Sequence, residues 1–332
     1  MALGWSIALL AAAAMLLILS GSHAHAQSLP LPVVQSADGV TVRAEADMEK
    51  MARRVLRDAP RVLDAVYADL PGQPRPPRVE IRLVKDSANL SAAAPAGRGA
   101  PEWAAGVAYS DHGVVVVATR RGAESIDVDR TVAHELAHLA LDAALGDRAP
   151  RWLHEGFAYL HSSDWSYARL RTLTGMAWTG DVIPVRDLDR RFPAREQAAA
   201  RAYAQSYDFV AFLANRGRSA DASDDGDRWA FRSFLAAIAE GESLDQAARH
   251  AFRADIDQLF EEWYEDLRQR YLLLPAGMFS LLVWVIAALL LVVGYIRRRR
   301  QNRRRLALWA DQEAGEDAPA EWSADVESPP SH

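Results

Sequence analysis

The chain has 332 residues, half of them hydrophobic and a quarter charged, enough for one substantial domain with appendages or for two small domains. It has no cysteine, which excludes disulfides and thiolate ligands, so any bound metal must be held through nitrogen and oxygen. The net charge of −6 conceals an asymmetry: "RRRRQNRRR" (297–305) holds seven arginines in nine residues, and the tail beyond it is acidic. Such a cluster suits nucleic acid, but here it directly follows a long uncharged apolar run, and no nucleic-acid partner is expected.

Residues 1–26 read as a signal peptide. "LGWSIALLAAAAMLLILS" is its apolar core, and Ala24-His25-Ala26 is a small-x-small cleavage pattern before Gln27. No lysine or arginine precedes the core, so an uncleaved anchor is the alternative. Residues 27–77 are expected to form an N-terminal leader and a helix. "QSLPLPVVQSADG" (27–39) is the leader, and Glu45 to Leu70 carries Met48, Met51, Val55, Val62 and Val66 at helical spacing. Pro60 is expected to kink or split that helix.

Beyond the proline-rich "PGQPRPPR", residues 78–270 form the main domain. "VEIRLV" (79–84) alternates strictly and reads as a half-buried strand. "WAAGVAYSDHGVVVVA" (103–118) reads as two strands around a turn at Ser110-Asp111-His112-Gly113. The next helix holds "HELAH", is capped by Asp127 or Asp129, and ends at Gly146. Further helices cover about 150–161 and 196–216, followed by the acidic loop "GRSADASDDGD" and the helices of "RWAFRSFLAAIAEG" and "ADIDQLFEEWYEDLRQRY". A few strands followed by many helices indicate an α+β fold.

Tyr271 to Ile296 holds no charged residue in 26. As a helix it would reach about 39 Å, enough to cross a hydrocarbon core of roughly 30 Å with tilt. Residues 271–296 are therefore expected to form a transmembrane helix contacting membrane lipid, with Tyr271 and Tyr295 at the interfaces and Arg297–Arg305 on the cytoplasmic side. Residues 297–332 are an arginine-rich, then acidic, cytoplasmic tail, disordered from Leu306 onward. This places a single-pass protein in the cytoplasmic (inner) membrane, with residues 78–270 on the periplasmic or extracellular side.

His134 and His138 lie four apart, so they differ by about 40° around a helix and project from one face, where both imidazoles can meet one ion. Glu135 lies about 100° round from His134, beside that position. Two histidines leave a zinc ion in need of a third protein ligand and an open corner for water. The second stretch, "RWLHEGFAYL" (151–160), brings Glu155 17 residues after His138, room for one helix to end and another to return a carboxylate.

"HELAH" followed by "WLHEGFA" resembles the gluzincin metallopeptidases, more closely their aminopeptidase branch and most closely the peptidase MA-like domains, over roughly residues 78–270. The resemblance implies a thermolysin-like α+β fold, with a small sheet ending in an antiparallel edge strand and a helical C-terminal part. It implies zinc held by His134, His138 and Glu155, with Glu135 as general base. "PEWAAGVA" and "VVVVA" look like the edge strand along which such enzymes lay an extended peptide or protein substrate. "YAQSYDFV" is similar to the family segment whose tyrosine stabilises the oxyanion, which maps to Tyr203, with Tyr207 one turn away as a competitor. Two departures stand out. Sixteen residues separate His138 from Glu155, fewer than in larger relatives, and no glutamate motif for a substrate N-terminus is present, so aminopeptidase specificity does not carry over.

The expected function is thus a membrane-anchored zinc metallopeptidase. The alternative is a non-catalytic tethered interaction module that keeps the fold, against which the intact Glu135 speaks. An intramembrane protease is disfavoured because charged residues flank HELAH. His154 is read as bordering the site without being a ligand, His161 as a surface residue, and His112 as a turn residue. Asp142 is read as a solvated helix carboxylate, with orientation of an imidazole as the other reading. Trp152, Trp229 and Trp263 are assigned to the core.

Overall fold

The computed structural model describes residues 29–316 apart from 102, 163–165, 189–195 and 217–227. The signal-peptide segment and the acidic loop 217–227 lie outside the described residues. The chain divides into two units, one reaching Arg268 and one beginning at Gln269.

The first unit opens with a hairpin of β1 (Val33–Ala37) and β2 (Val40–Ala44), paired antiparallel. Its turn is Asp38-Gly39, with φ of +49° and +79°. Two successive left-handed residues give the turn twist that matches paired strands. This corrects the expectation of a leader over 27–39. Asp-Gly between alternating apolar residues was a hairpin signal in plain view.

Helix α1 (Glu49–Tyr67) follows as one element, with Pro60 inside it rather than splitting it. Ala52, Val55, Ala59 and Val66 are buried along one stripe, and that packing offsets the hydrogen bond that proline cannot donate. Next come β3 (Val79–Asp86), a short helix α2 (Leu90–Ala93), the edge strand β4 (Gly106–Tyr109), β5 (Val114–Arg121) and a two-residue β6 (Glu124–Ser125). The sheet order is β1-β2-β3-β5-β4, with β6 on β5. β2, β3 and β5 are parallel, while β1 and β4 pair antiparallel at the two edges. Because β2 pairs with β3, residues 33–67 share the sheet and core of the domain rather than standing apart from it. "VVVVA" is the buried interior strand β5, and of the two strands only β4 lies at an edge.

One face of the sheet packs Val42, Ile81, Leu83, Val115 and Val117 against Ala52 and Val55 of α1 and against Leu136 and Leu139 of α3 (Val128–Leu145). Val114, Val116 and Ala118 fill the other face with Val84 and Leu90. Strand β5 is thus buried on both sides, which explains a continuous valine run where an alternating pattern would mark a half-solvated strand. Helix α3 is capped by Asp127, which accepts the Arg130 backbone N–H at 3.2 Å, and closes at Gly146.

After α3 the fold is helical: α4 (Arg151–Ser162), α5 (Tyr167–Thr179), α6 (Val185–Leu188), α7 (Glu196–Asn215), α8 (Trp229–Ala239), α9 (Leu244–Phe252) and α10 (Ile256–Arg268). Trp152 and Trp263 are fully buried, whereas Trp229, assigned to the core from sequence, is 64% exposed. It is the first residue of α8, where the amphipathic register has not yet turned inward. The Trp263 indole N–H donates to Asp208 Oδ2 at 2.8 Å, so the polar end of this core tryptophan is satisfied.

In the second unit, a π-helical turn (Gln269–Leu273) is followed by α11 (Leu274–Glu316). Among the described residues no helix is long and apolar enough to cross a membrane. The side chains of 272–281, part of the expected span, lie outside the described ones. Helix α11 continues through the arginine run to Glu316, so residues 306–316 are helical where disorder was expected. "LALWADQEA" consists largely of strong helix formers, which continue a helix already nucleated.

Candidate active site

Four residues of α3 at successive spacings of four, Arg130, His134, His138 and Asp142, line one cleft of about 580 Å³. Strand β4 forms one wall, and Glu155, Tyr159 and Tyr203 close the other side. The spacing read from the sequence therefore yields a real face.

The His134 and His138 Nε2 atoms are 3.1 Å apart, their rings crossing edge to face at 85°. Glu155 on α4 brings Oε2 to 3.9 Å from His134 Nε2 and 3.7 Å from His138 Nε2. All three side chains are largely buried. Among the described residues this is the cluster of His and acidic side chains arranged so as to hold a metal ion. A point equidistant from atoms with those three separations lies about 2.1 Å from each, the ordinary length of zinc–nitrogen and zinc–oxygen bonds. Two neutral imidazoles and one carboxylate are also a donor set that zinc takes with a corner to spare. The residues fit the ion.

Electrostatics agree with that fit. Burial, then the neighbouring His134, His154 and Arg151, hold His138 well below the usual imidazole range, so its nitrogen is a lone-pair donor at neutral pH. Burial pushes Glu155 up to about 7, partly opposed by Arg151. Burial and the adjacent Glu155 push Glu135 up to about 8, opposed by the Ala108 backbone N–H that bonds its carboxylate. Two neighbouring buried carboxylates resist ionising together, and a divalent ion held by Glu155 would relieve that repulsion.

Two glycines make the site possible. A methyl group on Gly106 would sit 2.8 Å from Thr131 Cγ2 and 2.9 Å from Glu135 Cγ, so its absence lets β4 lie directly against the Glu135 side chain. A methyl on Gly156 would sit 2.3 Å from Val210 Cγ2 and 2.4 Å from the Ser206 carbonyl oxygen, so α4 and α7 touch backbone to side chain there. That contact carries Tyr203 on α7 to the cleft beside Glu155.

The Ala118 N–H donates to the Ala105 carbonyl at 2.9 Å. In antiparallel pairing this turns the backbone groups of Gly106 and Ala108 away from β5. A family model of the Peptidase MA superfamily matches residues 72–269. The chain belongs to that superfamily. Among curated proteins none matches the chain.

Within this peptidase MA domain, the other sequence-assigned residues sort clearly. Tyr203 lines the cleft, and burial together with Glu155 raises its phenol above the usual range. Tyr207 instead packs under the Arg169 guanidinium, 4.4 Å from its ring centroid, and is not a cleft-lining residue. His154 sits with Nε2 3.4 Å from Asp142 Oδ1, its ring stacked at 6.2 Å on His138. It borders the site as expected. Asp142 also accepts the Ser110 hydroxyl, so it ties the turn after β4 to α3 rather than standing solvated. His161, expected at the surface, is buried 3.3 Å from Asp69, in a cluster completed by Arg228 and Arg232. The position of His161 at the end of the helix pointed to the surface, but Asp69 and its two arginines cover it. Two residues beside Glu155 carried no sequence assignment: Tyr159, which lines the cleft, and Arg151, a half-exposed side chain next to the Glu155 carboxylate. Both stand four from Glu155 on α4, and that spacing was the available signal.

Proposed function

We propose that this protein is a zinc metallopeptidase, tethered to the cytoplasmic membrane by residues 271–296, that hydrolyses peptide bonds of a peptide or protein substrate outside the cytoplasm. The observation that carries the reading is the convergence of His134, His138 and Glu155 at 3.1–3.9 Å, with the buried Glu135 carboxyl beside them in an open cleft. A zinc ion on those three residues would act as a Lewis acid and acidify a water molecule. Glu135 takes a proton from the attacking water and returns it to the leaving amine. The Tyr203 O–H faces the same space and donates to the oxyanion that develops on the carbonyl.

The outward backbone groups of Gly106 lie along the cleft and suit pairing with an extended chain. The tether is supported by the uncharged 26-residue run and the arginines after it. The test is cleavage of denatured protein by the full-length chain in detergent with zinc, beside Glu135→Gln. Loss of at least about 10²-fold in the variant is expected from removal of the base. Equal cleavage by both would end the peptidase reading and leave a tethered interaction module.

A further inference from the structure

Arg151, Glu155 and Tyr159 stand at spacings of four on α4, so one face of that helix carries a guanidinium, a carboxylate and a phenol in line. The two oxygens of Glu155 have different nearest partners. Oε2 is the atom near both histidines, at 3.7 and 3.9 Å, while Oε1 lies 3.8 Å from Arg151 Nε. The Arg151 guanidinium also hydrogen-bonds the Tyr203 side chain. A guanidinium has donors and no acceptor, so in that bond the phenol oxygen must accept. The Tyr203 proton is then left to point elsewhere.

We propose that Arg151 is a positioning residue that sets two groups at once: it holds Glu155 Oε1 back, so that one oxygen meets the metal, and it fixes Tyr203 as a hydrogen-bond donor towards the cleft. A bidentate Glu155 would fill the corner that a water molecule needs. A tyrosine free to rotate would spend part of its time accepting rather than donating. Lysine cannot replace the group fully, because a single ammonium lacks the fork that reaches carboxylate and phenol together. The inference rests on the metallopeptidase reading for its Tyr203 half, and on the metal cluster alone for its Glu155 half.

The experiment uses the full-length protein and Arg151→Ala, Arg151→Lys and Tyr203→Phe. Zn²⁺ affinity is read by competition with a chromophoric chelator, and coordination by the visible spectrum of the Co²⁺-loaded protein. Arg151→Ala should weaken Zn²⁺ binding by roughly 10–100-fold, the usual effect of removing a partner of a metal ligand. Its Co²⁺ bands should weaken as a second carboxylate oxygen joins. Arg151→Lys should shift both in the same direction by less, and it decides the matter alone if Arg151→Ala does not fold. Hydrolysis should fall less for Arg151→Ala in the Tyr203→Phe background than in the wild type, because the two share one function. Wild-type Zn²⁺ affinity and an unchanged Co²⁺ spectrum in both arginine variants would overturn the proposal. Altered metal binding in a protein whose wild type cleaves nothing would leave the Glu155 half standing and remove the peptidase reading.

Discussion

Replacing Gly156 with alanine tests the packing that assembles the site. The new methyl group would lie 2.4 Å from the Ser206 carbonyl oxygen and 2.3 Å from Val210 Cγ2. The valine methyl can rotate, but the carbonyl is backbone and cannot. Restoring ordinary contact therefore means parting α4 and α7 by about 1 Å at this point, an overpacking strain costing about 1–3 kcal/mol. Alanine's better helix propensity returns up to about 1 kcal/mol of that. A net loss near 1 kcal/mol lowers the melting temperature of a domain of this size by roughly 2–4 °C. Gly175 on α5 is the control, with nothing within 4 Å of its added Cβ. Gly175→Ala should raise the midpoint by roughly 2–4 °C, from propensity alone. Thermal unfolding of both variants by circular dichroism reads the two signs. A Gly156→Ala protein as stable as the wild type would refute the close approach of α4 and α7.

Other predictions follow from single groups. In the metal-free protein, Glu155 and Glu135 are raised to about 7 and about 8. Between pH 6.5 and 8, the folded chain therefore keeps protons that the unfolded chain has released, and stability falls as pH rises. The melting temperature of chelator-treated protein should drop across that window, and zinc should flatten the slope; a rising midpoint contradicts the burial argument. Below pH 6.5 the slope becomes shallower, because the depressed His138 stays neutral while its unfolded counterpart takes a proton. Asp127→Ala removes the N-cap of α3 and should cost about 1 kcal/mol, visible as a lowered midpoint. Tyr203→Phe should lower kcat about 10²–10³-fold, as loss of an oxyanion donor does, while Tyr207→Phe should leave turnover nearly unchanged. Steady-state kinetics separates the two.

Much of the centre was legible because it rests on helical spacing, and a spacing of four fixes a face whatever the rest of the fold does. His134 and His138 share a face as their spacing requires, Glu155 lies beside them where the resemblance to gluzincins pointed, and of the two candidate caps Asp127 serves α3. The antiparallel edge strand was legible too, since Ser110 to Gly113 breaks two apolar runs. What sequence left hidden depends on partners distant along the chain. His161 reads as polar at a helix end, yet Asp69, more than ninety residues away, buries it. Pro60 predicts a break only where no sheet stands behind the helix to hold it. Asp38-Gly39 announced a hairpin locally, and it was lost under the proline-flanked run before it. The spacing of four pairs Arg151 with Glu155, but its contact with Tyr203 depends on α7, some fifty residues further along the chain.

The most direct test of the central claim is zinc content of the full-length protein by elemental analysis, after dialysis against trace zinc. One zinc per chain is expected in the wild type and in Glu135→Gln, and far less in His134→Ala and Glu155→Ala. Equal zinc in all four proteins, or none in the wild type, would contradict a centre built from those three side chains.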